Sequence, residues 1–157
     1  MPAISRMRSF FALPFVLLLM MSGLALTQVA VAPEADALTR SQKIATGLRI
    51  AKNQIGDPYR YGAAGPGAFD CSGLIYYSMR KAGISVPRTS SGQASYARRI
   101  SKSNLRPGDL MYFSGHIGIF VGRKDGRVLM LDAPSSGKRV SIRTPWTTSW
   151  TAYTLRG

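Results

Sequence analysis

The apolar residues change their spacing once along this chain, and the change falls at the turn Arg106-Pro107-Gly108-Asp109. Ahead of it, Ile44, Leu48, Ala51 and Ile55 recur at helical spacing, with Thr39 or Ser41 placed to cap the helix and Gly56 to end it. A second stretch opens at Cys71-Ser72-Gly73, carries Leu74, Ile75, Tyr77, Ser78 and Ala82 on helical spacing, and ends near Gly83. A third, short helix is expected from Ser90 or Ser91 to Arg99, after the turn Pro87-Arg88-Thr89. Beyond the change, Leu110 to Phe113, His116 to Val121, Arg127 to Leu131, Arg139 to Ile142 and Thr151 to Leu155 read as strands, several divided by Gly-containing turns. Helices followed by antiparallel strands predict an α+β domain, with the helices packed on a C-terminal antiparallel sheet. Asp57 to Phe69, rich in Gly and Pro, is expected to be a loop, and it lacks the Lys-Ser/Thr that a phosphate-binding loop requires.

The N-terminus has a different character. Arg6 and Arg8 precede an apolar run from Phe10 to Leu26, and small residues follow up to Ala37. This is the pattern of a secretory signal peptide. Ala30-Val31-Ala32 is followed by Pro33, a poor residue after a scissile bond, so cleavage is expected after Ala37, giving residues 1–37 as signal and 38–157 as the mature domain. The competing reading is an uncleaved membrane anchor, because a run of this length approaches what a bilayer requires. No Cys follows the run closely, which argues against a lipid anchor.

Charge and thiol count narrow the function. The chain carries 21 Lys+Arg against 7 Asp+Glu, a formal net charge of +14. Arg6 and Arg8 are balanced by Glu34 and Asp36, so the whole surplus belongs to the mature domain. Such a surplus predicts attraction to a polyanion, and export makes anionic cell-wall polymers better partners than nucleic acid. A solvated basic face that only maintains solubility is the plain alternative. One cysteine cannot form an internal disulfide, and one Cys with one His falls short of the ligand set of a structural zinc site. No metal or cofactor is therefore expected, and a monomer is.

Any Cys/His chemistry must come from Cys71 and His116. A thiol attacks as thiolate, and a helix N-terminus with a neighbouring imidazolium favours that form. Cys71 has the first by its predicted position. His116 opens the run His116-Ile117-Gly118-Ile119-Phe120-Val121, and a strand gives its imidazole a rigid mount. Asp132, at the end of the next strand, is the natural group to bind the far ring nitrogen. Taken separately, a lone Cys is more often a packing residue and a lone His a surface one.

Several blocks together carry a resemblance: Gly56-Asp57-Pro58-Tyr59-Arg60-Tyr61-Gly62, Phe69-Asp70-Cys71-Ser72-Gly73-Leu74, Pro87-Arg88-Thr89-Ser90, Arg106-Pro107-Gly108-Asp109-Leu110 and His116-Ile117-Gly118-Ile119-Phe120-Val121-Gly122. In this order, and continuing to Leu131-Asp132-Ala133-Pro134, the sequence resembles the NlpC-type cell-wall peptidases over residues 39 to 157. The resemblance implies a papain-like fold and a cysteine peptidase acting on peptidoglycan stem peptides, commonly between γ-D-glutamate and a diamino acid. It implies Cys71 as nucleophile and His116 as general base, with Tyr59, Asp70 and Ser72 lining the substrate cleft. Local roles compete for the last three: Tyr59 as a core aromatic, Asp70 and Ser72 as helix caps. The third position often holds His, Glu or Gln in that family, and here it is Asp132. A silent, peptide-binding relative and an amidase or acyltransferase on the same scaffold stay open as alternatives.

Overall fold

The computed structural model describes residues 38–157; the signal-peptide reading of Met1 to Ala37 lies outside the described residues. Three helices come first: α1 (Arg40–Lys52), α2 (Cys71–Lys81) and α3 (Ser90–Tyr96). Six strands follow: β1 (Arg98–Ile100), β2 (Leu110–Phe113), β3 (His116–Lys124), β4 (Arg127–Asp132), β5 (Ser141–Arg143) and β6 (Thr151–Thr154). They form one antiparallel sheet in the order β1-β6-β2-β3-β4-β5. The α+β expectation describes this arrangement.

Thr39 begins α1 with a capping box, its hydroxyl accepting from Gln42 N while the Gln42 side chain accepts from Thr39 N at 2.6 Å. Ile44, Leu48 and Ala51 are buried on one face of α1, and Leu74, Ile75 and Met79 on one face of α2. They meet Leu110, Ile117, Ile119 and Leu131 from the sheet in one core. The other face of the strands carries Met111, Phe113, Phe120 and Met130, a smaller cluster against which Trp150 packs. The period-two alternation of β2 and β3 thus serves two apolar layers instead of one. The central hairpin fixes the register, with Leu110 opposite Ile119 and Phe113 opposite His116.

Gly108 sits at φ +95°, where a Cβ would lie 2.4 Å from Ile44 Cγ2, so the turn into β2 passes directly over α1 and requires glycine. Beside it, Asp109 is buried and accepts from Thr154 Oγ1 at 2.7 Å and from the Arg156 guanidinium. This ties the C-terminal strand to the sheet.

Several boundaries differ from the sequence reading, β3 running on to Lys124 among them. The third helix stops at Tyr96 because Arg98–Ile100 leaves to pair with β6, Arg98 opposite Thr154, and Ala97 is already extended. Ile55 is half exposed, since α1 ends at Lys52 with Asn53 as its cap and the following turns leave the helical face. Arg139 lies outside β5 and makes instead an isolated bridge with Pro58, which fastens the 57–69 loop to the sheet side of the molecule.

Candidate active site

Cys71 is the first residue of α2, so its thiol sits at the positive end of the helix. Asp70 caps that end, Oδ1 accepting from Gly73 N at 2.7 Å. The glycine of Asp-Cys-Ser-Gly is dictated by packing: a Cβ at Gly73 would fall 2.0 Å from the Ala63 carbonyl oxygen. Helix and loop therefore touch backbone to backbone under the thiol, which holds Cys71 in place.

His116 is the first residue of β3, and its Nε2 lies 2.7 Å from Asp132 Oδ2. That leaves Nδ1 for the thiol. Burial is the largest single influence on Cys71 and pushes its thiol up, but the hydrogen bond and charge of His116, with the Ile117 backbone N–H, outweigh it and hold it below its ordinary value. Burial likewise pulls the imidazole down, and the hydrogen bonds to Asp132 and Cys71 overcome it, raising His116 to about 9. The two shifts favour the same state, a thiolate beside an imidazolium.

Asp132 is fully buried at the end of β4, and its shorter side chain reaches the ring without difficulty. It also accepts two hydrogen bonds from Arg143 of β5, from Nε at 3.0 Å and Nη2 at 2.6 Å. One carboxylate is thus gripped by an imidazole on one side and a guanidinium fork on the other. Arg143 lies over the Trp146 ring at 5.0 Å, and Trp146 meets His116 edge to face at 5.2 Å and stacks on Phe113 at 4.4 Å. A ring of contacts runs through Asp132, His116, Trp146 and Arg143 and fixes the plane of the imidazole.

Beside the thiol opens a cleft of about 480 Å³ lined by Tyr59, Asp70, Ser72 and Arg88 among others. All three cleft residues expected from the sequence are there. Arg88 is an addition: it forks onto Asp70 at 2.6 and 3.0 Å and reaches Ser72 Oγ at 3.1 Å and Ala63 O at 3.2 Å. Burial pushes Asp70 up, yet Arg88 and the N–H groups of Gly73 and Gly62 outweigh it and hold its carboxyl below the usual range. Asp70 is therefore both helix cap and cleft wall. Ser72 is buried, donating to Asp70 and accepting from Arg88. Tyr59 is half-buried, packed against the main core with part of its ring facing the cleft; burial first, then the charges of Cys71 and Asp70, raise its hydroxyl above the ordinary value.

Sequence reasoning missed Arg143 and Arg88 as site residues. A guanidinium two positions along a neighbouring strand from a triad carboxylate gives no local signal, because its meeting with Asp132 depends on the β4–β5 register. Among the described residues, no group of three or more His, Cys, Asp or Glu side chains is placed to hold a metal ion, and no helix is long and apolar enough to cross a membrane.

The profile of the NlpC/P60 family matches residues 56–157, which include every residue of this site. The chain belongs to the NlpC/P60 family. Among curated relatives, the probable endopeptidase p60 of Listeria monocytogenes is 42% identical over 92 residues, covering 55% of this chain and 18% of that protein. The chain thus spans less than a fifth of that relative's length. Among solved structures, the peptidoglycan hydrolase RipB of Mycobacterium tuberculosis superposes with a TM-score of 0.66 at 23% identity, covering 76% of this chain and 69% of that one. RipD of the same organism, described as a non-catalytic NlpC/p60 domain protein adapted to peptidoglycan binding, superposes with a TM-score of 0.62 at 21% identity, covering 73% of this chain and 98% of RipD. At these identities the two structures speak for the fold, which is papain-like: a helix bearing the cysteine set against an antiparallel sheet bearing the histidine.

Proposed function

We propose that this protein is an exported cysteine peptidase that hydrolyses peptidoglycan stem peptides at the bond between γ-D-glutamate and the diamino acid. The carrying observation is the Cys71–His116–Asp132 arrangement, in which hydrogen bonding and helix polarity outweigh burial and favour a charged thiolate–imidazolium pair. Cys71 Sγ attacks the peptide carbonyl carbon, and the carbonyl oxygen takes the negative charge against the Cys71 backbone N–H. His116 gives its proton to the leaving amine as the C–N bond breaks, leaving an acyl thioester on Cys71. Water then loses a proton to His116 and attacks the thioester; the acid product departs and the thiolate returns beside the imidazolium. Asp132 fixes the imidazole and balances its charge throughout.

Wall peptide as substrate is supported by membership of the family and by the name of the Listeria relative, a probable endopeptidase. In this reading residues 1–37 direct export, residues 38–157 form the catalytic domain, and the protein acts as a monomer at the wall, where the +14 charge draws it to anionic polymers. A silent, peptide-binding relative is the weaker reading, because a binder has no need of a thiol tuned below its ordinary value. Mass analysis of purified peptidoglycan after digestion tests the bond. New γ-D-glutamyl carboxylates paired with free diamino acid amines support the proposal; release of intact stem peptides from the sugar would make the protein an amidase instead.

A further inference from the structure

A second opening, of about 640 Å³, flanks the His116–Asp132 pair and shares no lining residue with the cleft beside the thiol. The mechanism makes no use of it. Ser135, Lys138, Arg139, Ser141, Arg143 and Trp146 line most of it. Two of these touch the catalytic groups, Trp146 meeting His116 edge to face at 5.2 Å and Arg143 forking onto Asp132. A third joins it to the thiol cleft, the Lys138 carbonyl oxygen accepting from the N–H of Tyr59 at 2.9 Å. The opening therefore abuts the imidazole on one side and the wall of the thiol cleft on another.

Its charge is one-sided. Three cations line it, and among the described residues no carboxylate does. Arg143 is answered by Asp132, but Lys138 and Arg139 enter none of the ion pairs among the described residues. Arg139 donates Nη1 to the Gly56 carbonyl oxygen at 2.7 Å, a neutral partner that leaves its charge and its other N–H groups unanswered. The backbone that carries the two cations is held: Lys138 N donates to Ser135 O at 3.0 Å across a turn with Gly137 at φ +77°, while Lys138 O accepts from Tyr59. Two unneutralised cations on a fastened turn suit a carboxylate better than any neutral or cationic group. Acyl transfer says which part of a substrate reaches them. His116 protonates the leaving amine, so that nitrogen comes within about 3 Å of the imidazole. With the acyl part in the cleft beside the thiol, the leaving fragment lies on the imidazole side, where this opening is. We infer that Lys138 and Arg139 bind a free carboxylate on the side chain of the leaving diamino acid, and so select that diamino acid over one whose side chain ends in an amine alone or in a carboxamide. The identity of the leaving group rests on the proposed peptidase reading; the negative charge it must carry rests on the residues that line the opening.

The experiment compares three peptides: γ-D-glutamyl-diaminopimelyl-D-alanine with the side-chain carboxyl free, the same peptide with that carboxyl as carboxamide, and the lysyl counterpart. Wild type, Lys138→Ala and Lys138→Glu are used, each checked for folding by circular dichroism; Lys138 takes part in the fold through its backbone, so both substitutions leave those bonds in place. Hydrolysis is read as kcat/KM. Calorimetric titration of the same peptides into folded Cys71→Ala, with and without Lys138→Ala, reads the preference without turnover. The expected result is a preference of about tenfold or more for the free carboxylate in the wild type, the worth of one charge-assisted contact. That ratio should fall severalfold in Lys138→Ala and turn in favour of the lysyl peptide in Lys138→Glu. Equal handling of the three peptides by the wild type, a wild-type preference for the lysyl peptide or the carboxamide, a ratio unmoved by either substitution, or no binding of any peptide would each overturn the inference. Selective binding without hydrolysis counts against the peptidase reading alone, and hydrolysis without selectivity counts against this inference alone.

Discussion

His116 is the only histidine in the chain, so its imidazole can be followed by NMR without assignment. The structure places its pKa at about 9, against an ordinary 6.5, even though burial pulls it the other way. Its side chain is 12% exposed, so solvent screens the interactions little, and the difference corresponds to roughly 3 kcal/mol held jointly with Asp132 and Cys71. A raised value means that this contribution is fully present below pH 6.5 and disappears as the pH rises through about 9. Activity should share that alkaline limb, since the imidazolium that protonates the leaving amine is lost there. Replacing Cys71 with Ala removes the thiolate that accepts from the ring and attracts its charge, while burial continues to act downward. In Cys71→Ala the imidazole should therefore titrate lower by about one pH unit or more, ~1.4 kcal/mol. A wild-type titration near 6.5, or an unchanged value in Cys71→Ala, would refute the preformed ion pair.

The remaining predictions concern the supports of the pair. Asp132→Ala should lower turnover per folded molecule without abolishing it, because a loosened imidazole still samples the productive tautomer; full activity in that variant would leave a Cys71–His116 dyad. Arg143→Ala removes the fork from a buried carboxylate while leaving its bond to His116, and should cost about 1–3 kcal/mol in denaturant unfolding along with several-fold in kcat; unchanged values of both would make Arg143 a bystander. Gly73→Ala forces a Cβ against the Ala63 carbonyl and should destabilise by about 3 kcal/mol or more, read as a fall in Tm. Sedimentation with intact wall should weaken between low and high salt, while turnover of a small stem peptide changes much less, because surface attraction is screened beyond about 10 Å at 0.1 M salt.

What the sequence made legible was what depends on neighbours along the chain. The Asp70 cap, the thiol at the head of α2 and the alternation that puts His116 on a strand all follow from local spacing, and the structure has each of them. Asp132 was legible as well, because β3 and β4 are consecutive antiparallel strands and, with one bulge between Phe120 and Gly122, the end of β4 returns beside the start of β3. The arginines were not. Arg88 lies in a turn and becomes part of the cleft only because α3 folds back toward the N-terminus of α2, where Gln93 donates to Ser72 O at 2.9 Å. Arg143 stands opposite Met130 in the β4–β5 ladder and reaches Asp132 along the diagonal, a relation that no spacing within one strand records. The three residues of β1 have no period of their own and owe their extended form to β6.

The central claim is that Cys71 breaks a stem-peptide bond as a nucleophile. Incubation of a purified γ-D-glutamyl-diamino acid stem peptide with wild-type protein and with folded Cys71→Ala, products identified by mass, tests it most directly. The account predicts cleavage at the γ-D-glutamyl bond by the wild type and a loss of about a thousandfold or more in the variant, as expected when an attacking group is removed. Cleavage by Cys71→Ala at near the wild-type rate, or an intact peptide after incubation with the wild type, would contradict it.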